Sequence, residues 1–446
     1  MLLYNVRLAW KSIVRHPVLT GLIVAGIALG VAVSTTFLTV YHVLSQDPIP
    51  GKSDRLFYVR LDAWGGSEPY SETGEPPAQL TYRDTRAILR SDIPVRQAAM
   101  FKAQLYVHPE MKTQRPFRQA VRLTQSDFFP MFNVPFRYGS GWSRAADAKP
   151  EQVAVISSAL NDRLFGGADS VGRTVRVEGR DFTVAGVLGA WRPPVLFYDM
   201  TQNPNGEPED IFLPLDWVEP MQIRTAGNII GWRSDDPRSG HGVDDFIAGL
   251  QSSEMSWLQM WVQLDTPAQR AAYQSFLDAY ANDQKKTGRF PHPLNNRITP
   301  VVVLMQEWQV VPPQARALAL ISLLFLIVAA LNLVGLFLGK FLSRASIAGV
   351  RRALGASRRA IFVQHLVECE MVGLLGGACG LLLSLASLAL VNRFYHPGGD
   401  GETFFHLDLP MVGAAILLSL AAAAIAGLYP AWRICAIPPA RHLKNQ

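Results

Sequence analysis

Cysteine is nearly absent. The chain has three, Cys369, Cys379 and Cys435, all in or beside C-terminal apolar segments. Residues 47–313 hold none, so that region takes no disulfide, and the even-numbered framework of a small secreted domain is excluded. Charge is scarce too. Only 17% of the 446 residues are charged, against about 25% in soluble chains. The net charge of +6 is small, and its placement carries more information than its size. The 9 histidines show no H-x-x-x-H ligand spacing. A phosphate-cradling loop is missing. Gly335-Leu-Phe-Leu-Gly339-Lys340-Phe has too few residues between its glycines and no hydroxyl after the lysine. The dinucleotide fingerprint, H-E-x-x-H and G-x-S-x-G are also missing. The chain therefore carries no visible engine for catalysis. Nothing points to a triad gathered from distant residues.

What the sequence has in quantity is apolar runs. Val18 to Leu44 contains no charged residue and exceeds the roughly 20 residues that span a bilayer core. A cleaved signal peptide with a site near Val33-Ser34 is the competing reading, and the run is too long for it. Ala315–Gly339, Leu366–Val391 and Met411–Leu428 are three further candidate spans. Before the first run, Leu3, Val6, Trp10 and Ile13 form one helical stripe and Arg7, Lys11 and Arg15 another. This predicts a helix lying in the membrane interface with its apolar side down. Asn332, inside the second run, is read as a hydrogen bond across a helix interface. Lys340, Arg344, Arg351, Arg352, Arg358 and Arg359 crowd the loop between the second and third runs. Basic residues mark cytoplasmic loops, which predicts four spans, both termini inside and one large external domain after the first span.

Residues 47–313 are soluble in character and read as α+β. The pattern predicts a helix over 79–90, strands over 100–107, 118–123 and 153–156, and a helix over 158–165 ended by Gly166-Gly167. Thr174–Val177 and Phe182–Val187 form a hairpin through Glu178-Gly179. A strand over 257–264 precedes a helix opened by Thr266-Pro267, with Gln269 completing a capping box. Ile298–Leu304 reads as a last strand. The order suggests one α+β unit built from both ends of the region, with a β-rich insertion at about 110–250. The segments 199–210 and 224–245 read as surface loops, with a partner or substrate contact as the alternative. Asp235, Asp236, His241, Asp244 and Asp245 lack the spacing of a metal site. Glu368 and Glu370, near the start of the third run, are expected to pair with Arg351, Arg352, Arg358 or Arg359.

Val350-Arg-Arg-Ala-Leu-Gly355-Ala-Ser, followed by Leu-Val-Glu and Leu374-Leu-Gly376-Gly377, resembles the permease signature of the MacB/FtsX superfamily of ABC transporters. Gly427-Leu-Tyr-Pro430-Ala-Trp-Arg433 looks like the same family's C-terminal motif, where a Pro-Ala-X-Arg run ends the last helix. Leu123-Thr-Gln-Ser-Asp-Phe-Phe-Pro, Phe165-Gly-Gly-Ala-Asp-Ser-Val-Gly172-Arg-Thr-Val and Val184-Ala-Gly-Val187 resemble its periplasmic core. The ATPase domain that MacB carries at its N-terminus is missing here, and Ala345-Ser-Ile-Ala-Gly349 replaces the family's Arg-Glu-Ile-Gly run.

The resemblance implies an α-helical integral membrane protein with a large α+β periplasmic domain of MacB-like type. The expected order is an interfacial helix (1–16), a first span (17–45) and the periplasmic domain (46–313). A second span (314–340), a coupling segment (341–364) and a third span (365–392) follow. A short loop (393–409), a fourth span (410–430) and a cytoplasmic tail (431–446) end the chain. The implied function is a permease of the bacterial inner membrane that passes ATP-driven change to its periplasmic domain, exporting a peptide, drug or lipid-linked substrate. Lipoprotein extraction or hydrolase regulation is the alternative within the family, and a membrane-anchored sensor or scaffold the alternative outside it. The chain itself is not expected to be an enzyme. No cofactor is expected on it, and ATP with magnesium belongs to a partner ATPase. Val350, Arg351, Arg352, Ala353, Leu354, Gly355, Arg358 and Arg359 are the expected ATPase-coupling residues. Residues 344–359 are expected to form a short cytoplasmic helix that docks on the ATPase, with Gly349 and Gly355 breaking the chain where it leaves the second span and turns toward the third. Glu368, Glu370, Gly376, Gly377, Pro430 and Arg433 are expected at interfaces. Besides the ATPase, the expected partners are a second permease, membrane lipid and, for export, a periplasmic adaptor and outer-membrane channel. Nucleic acid is not among them.

Overall fold

The structure, a computed structural model, describes the chain outside residues 1, 66–67, 110–114, 150, 194, 202–203, 205, 233–248, 250–252, 344, 396–404 and 437–446. It divides into a membrane unit, Met1–Gln46 with Val311–Gln446, and a sheet unit, Asp47–Val310.

Helices α1 (Leu2–Arg15) and α2 (Pro17–Ser45) open the membrane unit. The sheet unit begins with β1 (Leu56–Arg60), β2 (Leu80–Thr81), α3 (Tyr82–Ile88), β3 (Arg96–His108) and β4 (Phe117–Thr124). Next come α4 (Phe128–Met131), β5 (Phe136–Gly139), α5 (Arg144–Ala148), β6 (Val153–Ile156) and α6 (Ser158–Phe165). Strands β7 (Thr174–Val177), β8 (Arg180–Leu188), β9 (Ile211–Pro214) and β10 (Ser256–Gln263) lead to α7 (Pro267–Lys286), β11 (Arg297–Pro300) and α8 (Val301–Glu307). The membrane unit resumes with α9 (Pro313–Leu342), α10 (Ala345–Ala353), α11 (Arg358–Tyr395) and α12 (Leu409–Ala436).

Local chemistry explains many boundaries. The Ser157 hydroxyl accepts from the Leu160 N–H to start α6, and Gly166, in the left-handed region, ends it. Both halves of the Thr266–Gln269 capping box form at α7. Glu178 and Gly179 both take positive φ, the pairing that a tight hairpin turn needs between β7 and β8. Two elements depart from the sequence reading. The strand expected to run to Leu304 stops at Pro300, because a proline in the ladder supplies no N–H. Val301, Leu304 and Met305 are then buried at helical spacing. The helix expected over 79–90 is α3 alone, preceded by β2 pairing with β10.

The sheet runs β11-β1-β10-β3-β4-β9-β6-β8-β5, with β2 on β10 and β7 on β3 and β8. Strand β1 lies between two strands from the far end of the unit, pairing antiparallel with both. Strand β3 is long enough to pair β10 at one end and β4 and β7 at the other. It joins the layer made by both chain ends to the inserted strands. Tyr273, Leu277 and Ala281 of α7 pack into the same core as Phe57, Phe101 and Trp257.

Helices α2, α9, α11 and α12 are each long and apolar enough to cross a membrane. Their packing rests on close approach at glycine. A Cβ on Gly376 would lie 2.7 Å from Ile27 of α2, and one on Gly380 would lie 2.9 Å from Val31. On another face of α11, Gly373 and Gly377 meet Ala423 and Ser419 of α12. Gly427 of α12 leaves room for Cys369. Asn332 is exposed on α9 and makes no hydrogen bond among the described residues, so the inter-helix bond read from the sequence is not formed. Helix α12 also passes through Pro430 to Ala436 instead of ending at the Pro-Ala-X-Arg run. Proline cannot donate to the Ala426 carbonyl one turn back, but the helix absorbs that loss.

Candidate functional site

The site lies where α1, α10 and the first turns of α11 meet the ends of α9 and α12. Helix α10 is short. It ends at Gly355, whose φ of +96° a residue with a Cβ adopts only under strain. Gly349 sits inside α10 and breaks nothing, so one glycine rather than two makes the turn. Ser357 then caps α11, its hydroxyl accepting from the Ala360 N–H at 3.2 Å.

The coupling residues divide into two sets. Arg351 donates to Gln364 Oε1 at 2.7 Å, holding α10 to α11. Arg352 donates to the Cys435 carbonyl at 3.3 Å, holding it to α12. Val350 is 48% and Leu354 82% exposed, and Arg358 and Arg359 lie exposed beside them. The result is a braced helix that turns two apolar side chains and two guanidinium groups outward.

Beneath it is a buried charge cluster. Lys340 Nζ lies 2.8 Å from Glu368 Oε1, with both side chains almost wholly buried. Ser12 of α1 donates to the same carboxylate oxygen. His365 Nδ1 lies 3.9 Å from the other oxygen, one turn back along α11. Glu368 is therefore not held by the loop arginines that the sequence reading assigned to it. Its partner is Lys340, which the apolar run hides because α9 continues past Gly339. Glu370 is half-buried and forms no ion pair among the described residues. Lys340, Ser12 and His365 were missed in the sequence. The signal that finds them is an ionisable residue at the end of one span facing an i, i+3 His–Glu pair at the start of another. Gly376 packs against Ile27 of α2 and Gly377 against Ser419 of α12, Pro430 is buried, and Arg433 is exposed.

In the sheet unit, buried charges are structural. Arg122 is fully buried and bridges Asp199 and Glu209. Lys102 lies 3.5 Å from Glu209, and Gln259 donates to Asp199 at 2.6 Å. Burial opposes the Arg122 charge, but the two carboxylates win and hold its pKa above the ordinary value. The segment around Asp199 is thus pinned to β4 and β10 and is not the surface loop that its composition suggested. Arg289 joins Asp84 of α3 to Glu254 in the same way. The acidic residues 235–245 lie outside the described residues.

These features are those of a membrane permease with a mixed α/β soluble domain. The chain belongs to the MacB/FtsX permease family: the MacB-like periplasmic core domain matches residues 20–280 and the FtsX-like permease C-terminal domain matches 319–439. It is 22% identical over 470 residues to the uncharacterized ABC transporter permease YvrN of Bacillus subtilis, covering 100% of both chains. It is 23% identical over 449 residues to the pyoverdine export ATP-binding/permease protein PvdT of Pseudomonas entomophila, covering 98% of this chain and 59% of that one. The chain spans about three-fifths of such ATP-binding/permease relatives. The extracellular domain of the noncanonical ABC-type transporter YknZ superposes with a TM-score of 0.34 at 12% identity, covering 55% of this chain and 99% of that one.

Proposed function

We propose that this permease passes ATP-driven movement from a cytoplasmic ATPase through its helix bundle to the sheet unit, which acts outside the cytoplasmic membrane on an exported peptide, drug or lipid-linked substrate. In this reading the ATPase is a separate subunit that binds ATP and magnesium, and a second permease completes the assembly. A periplasmic adaptor and an outer-membrane channel complete the export route. The observation that carries the proposal is the outward pair Val350 and Leu354 on a helix braced by Arg351 and Arg352. An apolar helix face flanked by cations suits a groove with an acidic rim. Movement of α10 reaches α11 and α12 through those two bonds. Helices α2 and α9 lead by chain into the sheet unit at Asp47 and Val310.

Leu354→Asp tests the docking. The side chain is exposed, so the change leaves the fold intact. In a docked groove, an unpaired carboxylate costs several kcal/mol. The expected result is normal membrane level with loss of ATPase co-purification. Normal association and normal ATP turnover would remove the proposal and favour a scaffold. The orientation is tested separately. A reporter fused after Ser357 reads as cytoplasmic and one after Lys286 as external, and an external signal from Ser357 would sink the topology.

A further inference from the structure

A cavity of about 200 Å³ opens beside the coupling helix. Lys11 and Arg15 of α1 line one side, and Arg351 of α10 lines another. Ser12, Gln364 and His365 supply further polar atoms. Leu8, Ile347 and Ile361 make the apolar part of the wall. Among the described residues lining it, none is acidic. Glu368, the carboxylate that the lining residues Ser12 and His365 approach, is occupied by Lys340 and Ser12. The cavity thus concentrates three positive charges without a lining counter-charge. At about 30 Å³ per water, it has room for a tetrahedral anion with some of its hydration.

Helix α1 shows where such an anion would come from. Ala9, Ser12 and Ile13 face the bundle. Ile13 therefore leaves the outer apolar stripe in which the sequence reading placed it. Val6, Trp10 and Val14 remain exposed, with Arg7, Lys11 and Arg15 along the adjoining edge. A helix with one face on protein, one apolar face open and one cationic edge sits at headgroup level. We infer that the cavity binds the phosphoryl group of an anionic phospholipid. The two guanidinium groups and the ammonium group donate to its oxygens, and the open apolar face of α1 lies along the acyl chains. The lipid would tie α1 to α10, the helix that carries the coupling face. The inference does not depend on substrate or on ATPase identity.

The test uses the full-length chain, purified in a neutral detergent and stripped of lipid. Phosphatidylglycerol, phosphatidylcholine or inorganic phosphate is added, with bound lipid read by native mass spectrometry and stability by thermal unfolding. Phosphatidylglycerol is expected to bind and raise Tm, whereas phosphatidylcholine does not. Lys11→Gln with Arg15→Gln is expected to weaken that binding at least tenfold. The charge-matched pair Arg7→Gln with Arg359→Gln, outside the cavity, leaves it within twofold. Lys11→Arg with Arg15→Lys retains binding and separates charge from folding. Unchanged lipid binding in the first pair overturns the inference. Equal loss in both charge-removing pairs overturns it in favour of diffuse surface attraction. An equal Tm shift from inorganic phosphate alone makes this a free-anion site and overturns the lipid. Unchanged lipid binding together with lost ATPase association would assign the cavity to an acidic group of the partner.

Discussion

Lys340 carries an ammonium group into a place where an ion without a partner is costly, and Glu368 answers it. Ion pairs of this kind contribute little net stability, but breaking one leaves an uncompensated charge, at about 3–5 kcal/mol. Glu368→Leu is therefore expected to lower the thermal stability of the membrane unit sharply. Lys340→Met with Glu368→Leu is expected to recover most of the loss, because no buried charge remains. Thermal unfolding of the full chain in detergent checks both, and a double variant no better than the single one would refute the pairing. The residue scale is also where the sequence was least legible. Lys340 looks like one more cation of a basic loop, since an apolar run does not show where its helix stops. The partners sit on three different helices. No periodicity within one element reports that Ser12, Lys340 and Glu368 meet.

The elements themselves were more legible, wherever a local rule governs them. The Gly166 stop of α6, the capping box at Thr266 and the Glu178-Gly179 turn act over four residues or fewer and formed as read. Val301–Leu304 misled, because a β-branched run favours a strand until Pro300 removes a ladder donor and burial at i, i+3 and i+4 takes over. The glycines of the spans are alike in sequence and unlike in structure. Gly376 and Gly380 fill the gap against α2, whereas a Cβ on Gly335 meets nothing within 4 Å. Gly376→Leu is expected to force α2 and α11 apart at a cost of about 1–3 kcal/mol or more. Gly335→Ala, whose methyl meets nothing, is expected to hold or raise stability, by up to about 1 kcal/mol. Both are read as Tm shifts of the full chain, and equal shifts would discard the close-approach account.

At the scale of the molecule, what a linear reading does not reach is strand pairing. That both ends of the sheet unit share one layer was suggested by the order of elements, but β1 lying between β11 and β10 depends on contacts across the whole unit. This closure makes Asp47–Val310 a body with its own core, and residues 47–310 expressed alone are expected to unfold cooperatively. The same core predicts how that unit fails in alkali. Tyr82 is pushed up to about 12 from an ordinary 10.0, by partial burial first and by Glu219. Tyr273 is raised further by burial alone, and its hydroxyl has no hydrogen-bond partner among the described residues. A raised acid holds its proton more tightly in the folded state. Its contribution is fully present below pH 10 and is lost as the unfolded phenol ionises and the pH climbs toward the folded value. The Tm of residues 47–310 is therefore expected to fall between pH 10 and 12. Tyr273→Phe separates this cause from general alkaline repulsion. At pH 7 it removes an unsatisfied buried hydroxyl, a group that costs about 1–3 kcal/mol, so Tm is expected to hold or rise. Above pH 10 it removes one proton-linked loss, so the decline becomes shallower than in the parent. A Tm that drops at pH 7, or two alkaline slopes that coincide, would show that the Tyr273 hydroxyl is paired in solution and that its ionisation does not drive the loss.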